Sequence, residues 1–255
     1  MNIYVCIKHV PDSAATITIV GPAEIDERIT YLLNPYDENA VEAGVRLKPR
    51  FPGAELVSLT VGKAAAADTL RAALAMGADR GLHVVCDQRL DGSQTAAALA
   101  AAIVEDGRAA LVLTGKAAID SEGYQTMFRL GARLQIPVAT NAVAIDRQGD
   151  TLAVASELEG GGRQHLALPL PCVIGAAKSL NQPRYPTFPD IVKARKKPIA
   201  TIELADLPAS LPSRQVTLKA LRPAVEQRRG EVIKGAAEAA VTTLIEKLSR
   251  QARVI

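Results

Sequence analysis

The chain has 255 residues, of which 48% are hydrophobic, only 3% are aromatic and none is Trp. A chain of this length can bury one main core, and that core must be made of Ala, Val, Leu and Ile, as in layered α/β folds. The aromatic material for stacking nucleic-acid bases is missing. The formal net charge is only +3, and the conspicuous basic residues are confined to one segment, which argues for a local docking patch over a polyanion-binding surface and against a nucleic-acid partner.

Cys6, Cys86 and Cys172 are odd in number and widely spaced, which suits neither a disulfide framework nor a zinc site and fits a reducing compartment. Lys8 and His9 interrupt the N-terminal apolar run too early for a secretory signal. No apolar run approaches the ~20 residues of a membrane span. The expectation is a soluble cytoplasmic protein without membrane insertion.

In chain order, Ile3 to Val10 reads as a first strand ended by Pro11-Asp12, and Thr16 to Val20 and Ile29 to Leu33 as short extended pieces. Asn34-Pro35-Tyr36-Asp37 opens a helix running through Lys48, with Asp37 as its cap. Glu55 to Val61 is a strand, Ala65 to Met76 a helix closed by Gly77, Leu82 to Cys86 a strand and Ser93 to Glu105 a helix. Ala109 to Thr114 is a further strand and Ser121 to Leu134 a further helix. This repeated β-α alternation predicts a doubly wound, mostly parallel sheet with helices on both faces, a Rossmann-like adenine-nucleotide-binding fold.

After Pro137 the pattern becomes alternating, with segments at Val138 to Ile145, Thr151 to Leu158, Arg163 to Leu168 and Leu170 to Gly175 separated by turn residues. That texture predicts antiparallel hairpins. The domain so defined spans residues 1–200. From 201 to 255 one more strand, Ile202 to Leu204, precedes a polar tail and a helix over Val232 to Ser249. This C-terminal arm has little means of forming its own core and is expected to pack on a partner subunit, a frayed terminus being the other reading.

Two segments carry candidate chemistry. Leu111 to Thr126 leads from a buried strand through Gly115-Lys116 to a helix start bearing Gly123, Gln125 and Thr126. Helix N-termini at the carboxyl ends of strands offer free N–H groups to phosphate, Gly123 lets backbone approach closely, and the Thr126 hydroxyl can bind a phosphate oxygen. An ordinary β-α turn capped by Asp120 or Ser121 satisfies the same pattern. The second segment, Leu180 to Lys197, places Tyr185, Phe188 and Ile191 among Pro183, Pro186 and Pro189, surrounded by Arg184, Lys193, Arg195, Lys196 and Lys197. Such a loop should be extended and stiff, an apolar anchor with a charged rim, although a solvated basic linker has the same composition. Walker A, G-x-G-x-x-G and nucleophile-base arrangements are absent from the sequence, so no self-contained enzyme is indicated.

The ordered motifs Val5-Cys-Ile-Lys-His-Val-Pro-Asp12, Asn34-Pro-Tyr-Asp-Glu-Asn-Ala-Val-Glu42, Ala73-Leu-Ala-Met-Gly-Ala-Asp-Arg80, Gly115-Lys-Ala-Ala-Ile-Asp120 with Gln125-Thr126, and Pro183-Arg-Tyr185 through Lys193-Ala-Arg-Lys-Lys197 together resemble the β subunits of electron transfer flavoproteins. The resemblance implies a heterodimer with an α subunit that holds most of a redox-active FAD, while the β chain binds AMP and encloses part of the flavin. It places AMP contacts at Cys6, at Asn34, Pro35, Tyr36 and Asp37, at Ser58, and along Leu111, Gly115, Lys116, Ala118, Asp120, Gly123, Tyr124, Gln125 and Thr126. Tyr36 would also lie towards the flavin. Family members often carry an aromatic residue beside the flavin where Ser13 stands in this chain.

By the same resemblance, residues 180–197 form the loop that docks on acyl-CoA dehydrogenases, with Phe188 where relatives commonly have Leu and with Arg184, Tyr185, Ile191, Lys193 and Lys196 around it. Glu157 matches an acidic residue associated with orienting the mobile FAD domain. The implied function is an electron carrier of fatty acid oxidation, passing electrons from acyl-CoA dehydrogenases to a membrane flavoprotein-quinone oxidoreductase. Bifurcating members, which hold a second FAD in place of AMP and accept electrons from NADH, continue the Ala-Ile-Asp motif with Gly-Asp-Thr-Ala-Gln-Val-Gly-Pro. Ser121-Glu-Gly-Tyr-Gln-Thr126 follows here, and Ala78-Asp79-Arg80 also matches the AMP-holding type. Two alternatives stand beside it: a bifurcating subunit, and a stand-alone nucleotide-binding module of the universal stress type.

Overall fold

The structure is a computed structural model, and it describes residues 1–208, 210–223 and 230–254. Its strands and helices run β1 (Asn2–Cys6), β2 (His9–Pro11), β3 (Ile19–Gly21), β4 (Glu24–Ile25), β5 (Tyr31–Leu33), α1 (Pro35–Leu47), β6 (Leu56–Gly62), α2 (Ala66–Met76), β7 (Arg80–Val85), α3 (Gly92–Asp106) and β8 (Ala109–Gly115). They continue through α4 (Thr126–Leu134), β9 (Val138–Gln148), β10 (Thr151–Glu157), β11 (Arg163–Pro169), β12 (Val173–Ala176), α5 (Phe188–Lys196), β13 (Ile199–Glu203) and α6 (Ala237–Glu246).

Nine strands form one sheet in the order β11-β10-β9-β12-β8-β1-β6-β7-β13. The pairs from β9–β12 across to β7–β13 are parallel, and only β9–β10 and β10–β11 are antiparallel. The predicted α/β class and doubly wound, mostly parallel sheet are therefore present. The hairpins, however, extend that same sheet. β12 inserts in parallel between β8 and β9, so the long strand β9 is parallel to one neighbour and antiparallel to the other.

Side chains alternate across the sheet and divide the core into two layers. Ile3, Val5, Leu56, Leu111 and Leu113 face one layer with Leu70 and Leu74 of α2. Tyr4, Cys6, Val57, Leu59 and Val112 face the other, against the Ala-rich α3 and Leu130 of α4. With so few aromatics, small residues do the packing: Ala96, Ala98 and Ala102 of α3 are fully buried, which lets helix and sheet backbones approach closely. The first strand is shorter than its apolar run suggests, because His9–Pro11 leaves the main sheet to pair with β5.

Three expectations about local structure need correction. The helix foreseen from Ser121 begins at Thr126, and residues 116–125 form an irregular loop in which Glu122 and Tyr124 have φ of 44° and 51°. Left-handed backbone cannot continue a helix, so the start is displaced. Asp37 is no cap: it lies inside α1, and the N-cap position, Asn34, makes no side-chain cap bond. Finally, the stiff extended loop is extended only up to Thr187 and then turns helical. Thr187 and Asp190 form a capping box, and Pro189 is tolerated because the first helical turn has no N–H partners to lose.

Two compact units are distinguished, Met1–Lys219 and Ala220–Ile255. The first contains the whole sheet, including β13 at its edge, and its segment 211–216 is tied down by Asp91, whose Oδ2 accepts from the backbone N–H groups of Gln215 and Val216. Within the second, α6 and the wide turn Lys247–Ala252 that follows it bury none of their residues, and Val232, Val241, Leu244 and Ile245 are exposed. Among the described residues no helix is long and apolar enough to cross a membrane.

Candidate nucleotide site at the carboxyl edge of the sheet

β1, β6 and β8 end side by side at one edge of the sheet, since Cys6 is in register with Leu59 on one side and with Thr114 on the other. The N-terminus of α1 meets this edge. Asp37 is buried, and its carboxylate accepts the backbone N–H of Lys8 at 2.8 Å and that of Gly115 at 2.9 Å, joining the chain just after β1 to the end of β8. Asn34 is fully buried and makes the parallel tie: its Nδ2 donates to Ala117 O at 2.8 Å and its Oδ1 accepts from Ile119 N at 3.1 Å. Gly115 is required by this approach, because a Cβ there would meet the Asp37 carboxylate and would lie 2.6 Å from Tyr36 Cβ.

Asn34 takes up Ala117 O and Ile119 N, and the left-handed Glu122 and Tyr124 interrupt the single helical turn closed by Glu122 N and Ala118 O, so residues 116–125 stay irregular. At the mouth, Lys8 Nζ lies 2.7 Å from the Asp120 carboxylate. Lys116 Nζ stands 5.6 Å from the centre of the Tyr36 ring and 5.9 Å from that of Tyr124, within cation-π range of both. Beside Gly123 the space is open. Gln125 and Thr126 begin α4 just beyond, so positive side chains and a helix start share one rim.

Burial pushes the Asp37 carboxyl up to about 7, against the pull of Asn34, of the N–H groups of Lys8 and Gly115, and of the Lys8 charge. Burial and the charge of Asp37 hold the Cys6 thiol far above its ordinary range, so Cys6 is a wall and not a nucleophile.

The structure thus brings together Asn34, Pro35, Tyr36, Asp37, Gly115, Lys116, Ala118 and Asp120, with Cys6 in the floor and Gly123 to Thr126 along the rim. Leu111 stands apart, in the core at mid-strand. Ser58 lies mid-strand in β6, fully buried, on the sheet face opposite Cys6, and its Oγ has no hydrogen-bond partner. Among the docking candidates, Tyr185 and Phe188 are 97% and 78% exposed and Ile191 is partly exposed, while Arg184 is paired with Glu42 at 2.7 Å. Glu157 ends β10, in register with Arg163 of β11, away from the docking segment. Two residues escaped the sequence reading. Lys8 is one, its signal being a cation immediately after the first strand, at the edge where ligands bind. Glu42 is the other, signalled by an acid at helix mid-length four residues before Arg46.

An adenine nucleotide suits what the residues offer: a cradle kept open by glycine, cations at the mouth and a helix start on the rim. The fold is that of a doubly wound α/β protein, with this candidate site at the carboxyl edge where such folds place their ligands. The model of the electron transfer flavoprotein domain matches residues 24–207. Similar proteins include the electron transfer flavoprotein subunit beta of Bradyrhizobium diazoefficiens, 34% identical over the whole of both chains, and that of Homo sapiens, 38% identical over 84% of this chain and 86% of the relative. The mitochondrial subunit beta of Oryza sativa subsp. indica is 35% identical over the whole of both chains. The chain belongs to the electron transfer flavoprotein family and, within it, to the β subunits.

Proposed function

We propose that this chain is the β subunit of a heterodimeric electron carrier. In this reading it encloses part of an FAD held mainly by the α subunit, retains AMP at the carboxyl edge of the sheet, and presents residues 180–197 to acyl-CoA dehydrogenases. Electrons then pass to a membrane flavoprotein-quinone oxidoreductase, in the course of fatty acid oxidation, and the chain itself works in the cytoplasm as a carrier subunit without a catalytic residue. FAD supplies the redox chemistry when bound.

The observation that carries the reading is the pair of ties made by Asn34 and Asp37. They satisfy polar groups of the loop and fix it against the start of α1, so that Lys116, Thr126 and the open side of Gly123 are left for a phosphate, beside the Lys8–Asp120 pair. Lys116 between two tyrosine rings, with Tyr124 on the lip, narrows that end of the site, which favours a ligand that stops at one phosphate over a second dinucleotide.

The test is to co-express the chain with its α subunit, denature the purified complex, and quantify the nucleotides released. One FAD and one AMP per heterodimer is the expected result. Two FAD without AMP, together with NADH reactivity, would transfer the chain to the bifurcating type. A flavin-free homodimer would return it to the stand-alone nucleotide-binding class.

A further inference from the structure

The cations of the docking segment are not equivalent. Arg184 directs its guanidinium inward to Glu42, which is only 2% exposed, with Nε to Oε2 at 2.7 Å, Nη2 to Oε1 at 3.2 Å and its own backbone N–H to Oε2 at 3.3 Å. Arg46 binds the same carboxylate at 2.5 Å, and its Nη2 reaches Gln182 O at 3.3 Å. One turn earlier, Asn39 Nδ2 donates to Asn181 O at 2.8 Å, and Asn181 Nδ2 donates back to Asn39 O at 2.9 Å. Asn39, Glu42 and Arg46 stand at i, i+3 and i+7, so one face of α1 grips the chain from 181 to 184.

The far end is also fixed. Lys197 Nζ caps the end of α2, donating to Leu74 O at 2.9 Å and Ala78 O at 2.6 Å. Arg71 of α2 donates to the carbonyls of Ala194 and Lys197 at 2.9 and 2.6 Å. Between these two clamps, α5 turns Phe188, Ile191 and Val192 partly or largely to solvent. Lys193, Arg195 and Lys196 make no ion pair among the described residues.

We propose that Glu42 is a positioning residue for docking: by holding Arg184 and Arg46 together it fixes the orientation in which α5 offers Phe188, while Lys193, Arg195 and Lys196 supply the charge that meets an acidic partner surface. Burial pushes the Glu42 carboxyl up, and the hydrogen bonds from Arg184 and Arg46 more than reverse this, so that it sits below its ordinary value and stays ionised at neutral pH. The inference rests on the docking role of residues 180–197. A rigidly held anchor forfeits less side-chain and loop entropy on each encounter, which a carrier that must bind specifically and release quickly requires.

The experiment measures electron transfer from an acyl-CoA dehydrogenase to the complete heterodimer carrying Glu42→Gln, Arg184→Met, Arg184→Lys, Phe188→Ala or Lys196→Gln, over a range of ionic strength. Glu42→Gln and Arg184→Met should raise the apparent KM for the flavoprotein about 5-fold with kcat and nucleotide content unchanged, as expected from freeing a few ordered side chains. Arg184→Lys should fall between, and hydrogen exchange of residues 182–196 should accelerate. Lys196→Gln should flatten the salt dependence of the KM, whereas Arg184→Met should leave its slope as in the parent.

If Phe188→Ala raises the KM but neither Glu42→Gln nor Arg184→Met does, the clamp is refuted while docking through this segment stands. An unchanged KM in Phe188→Ala refutes the docking reading itself. A salt slope flattened as much by Arg184→Met as by Lys196→Gln refutes the division of labour, making Arg184 a steering charge. Should Glu42→Gln misfold, Arg184→Met decides, since it alters a half-exposed side chain on the loop.

Discussion

At the scale of single residues, Asp37 shows how a position chosen for tertiary contact acquires a pH signature. In the unfolded chain it loses its proton near the ordinary value of 3.8, and in the fold it keeps the proton to about 7. Between these limits the folded state binds one more proton than the unfolded state, so this group's stabilising contribution, complete below 3.8, is lost as pH rises through 7. The slope it adds is about 1.4 kcal/mol of lost stability per pH unit. Asp37→Asn should remove that slope, which urea midpoints measured from pH 4 to 8 will test; an unaltered slope would show that Asp37 is ionised throughout. Gly115→Ala should destabilise the fold by about 1–3 kcal/mol, because the added methyl meets Tyr36 backbone C at 2.8 Å with no flexible group to yield. AMP retained per heterodimer should fall in that variant as well, and full retention would argue against a nucleotide beside this turn.

At the scale of elements, α1 serves two regions at once. Its first turn locks the loop 116–120 through Asn34 and Asp37, and its middle grips residues 181–184 through Asn39, Glu42 and Arg46. The candidate nucleotide site and the proposed docking segment are therefore referred to one rigid rod, which in the proposed function would hold a docking event in a fixed geometry relative to the cofactor side. α5 is the working element of the second region. Phe188→Ala should raise the apparent KM for the flavoprotein in a dehydrogenase-coupled assay about 30-fold, since truncating an aromatic anchor that the partner buries commonly costs ~2 kcal/mol of binding. Nucleotide content should not change, because Phe188 is 78% exposed at the start of α5 and takes no part in the bonds that hold the sheet edge.

At the scale of the whole molecule, the sheet unit of residues 1–219 contains both hydrophobic layers and every strand among the described residues. The unit from Ala220 instead leaves Val232, Val241, Leu244 and Ile245 exposed on and around a helix with no buried residue. We propose that this arm packs on the α subunit. Ending the chain at Lys219 should then abolish co-purification with the α subunit while the remaining unit unfolds cooperatively; recovery of a normal heterodimer would show the arm to be dispensable.

What the sequence determined by itself is what short-range spacing encodes. Alternation of β-branched runs with 3.6-period segments located the strands and helices of residues 35–115 to within a residue or two, and the motifs around Asn34, Gly115 and Pro183 marked segments that the structure ties to α1. Only the tertiary structure decided the rest. Whether residues 121–125 coil or helix depends on Asn34, more than 80 positions away, satisfying their neighbours' backbone. That β12 enters between β8 and β9 follows from pairings with strands dozens of residues away, and that Lys197 and Arg184 turn their charge onto the molecule itself follows from contacts made across more than 100 residues. A local pattern fixes which groups a segment has to offer. Which of them are used is a competition for burial and hydrogen bonds that exists only once distant segments have met.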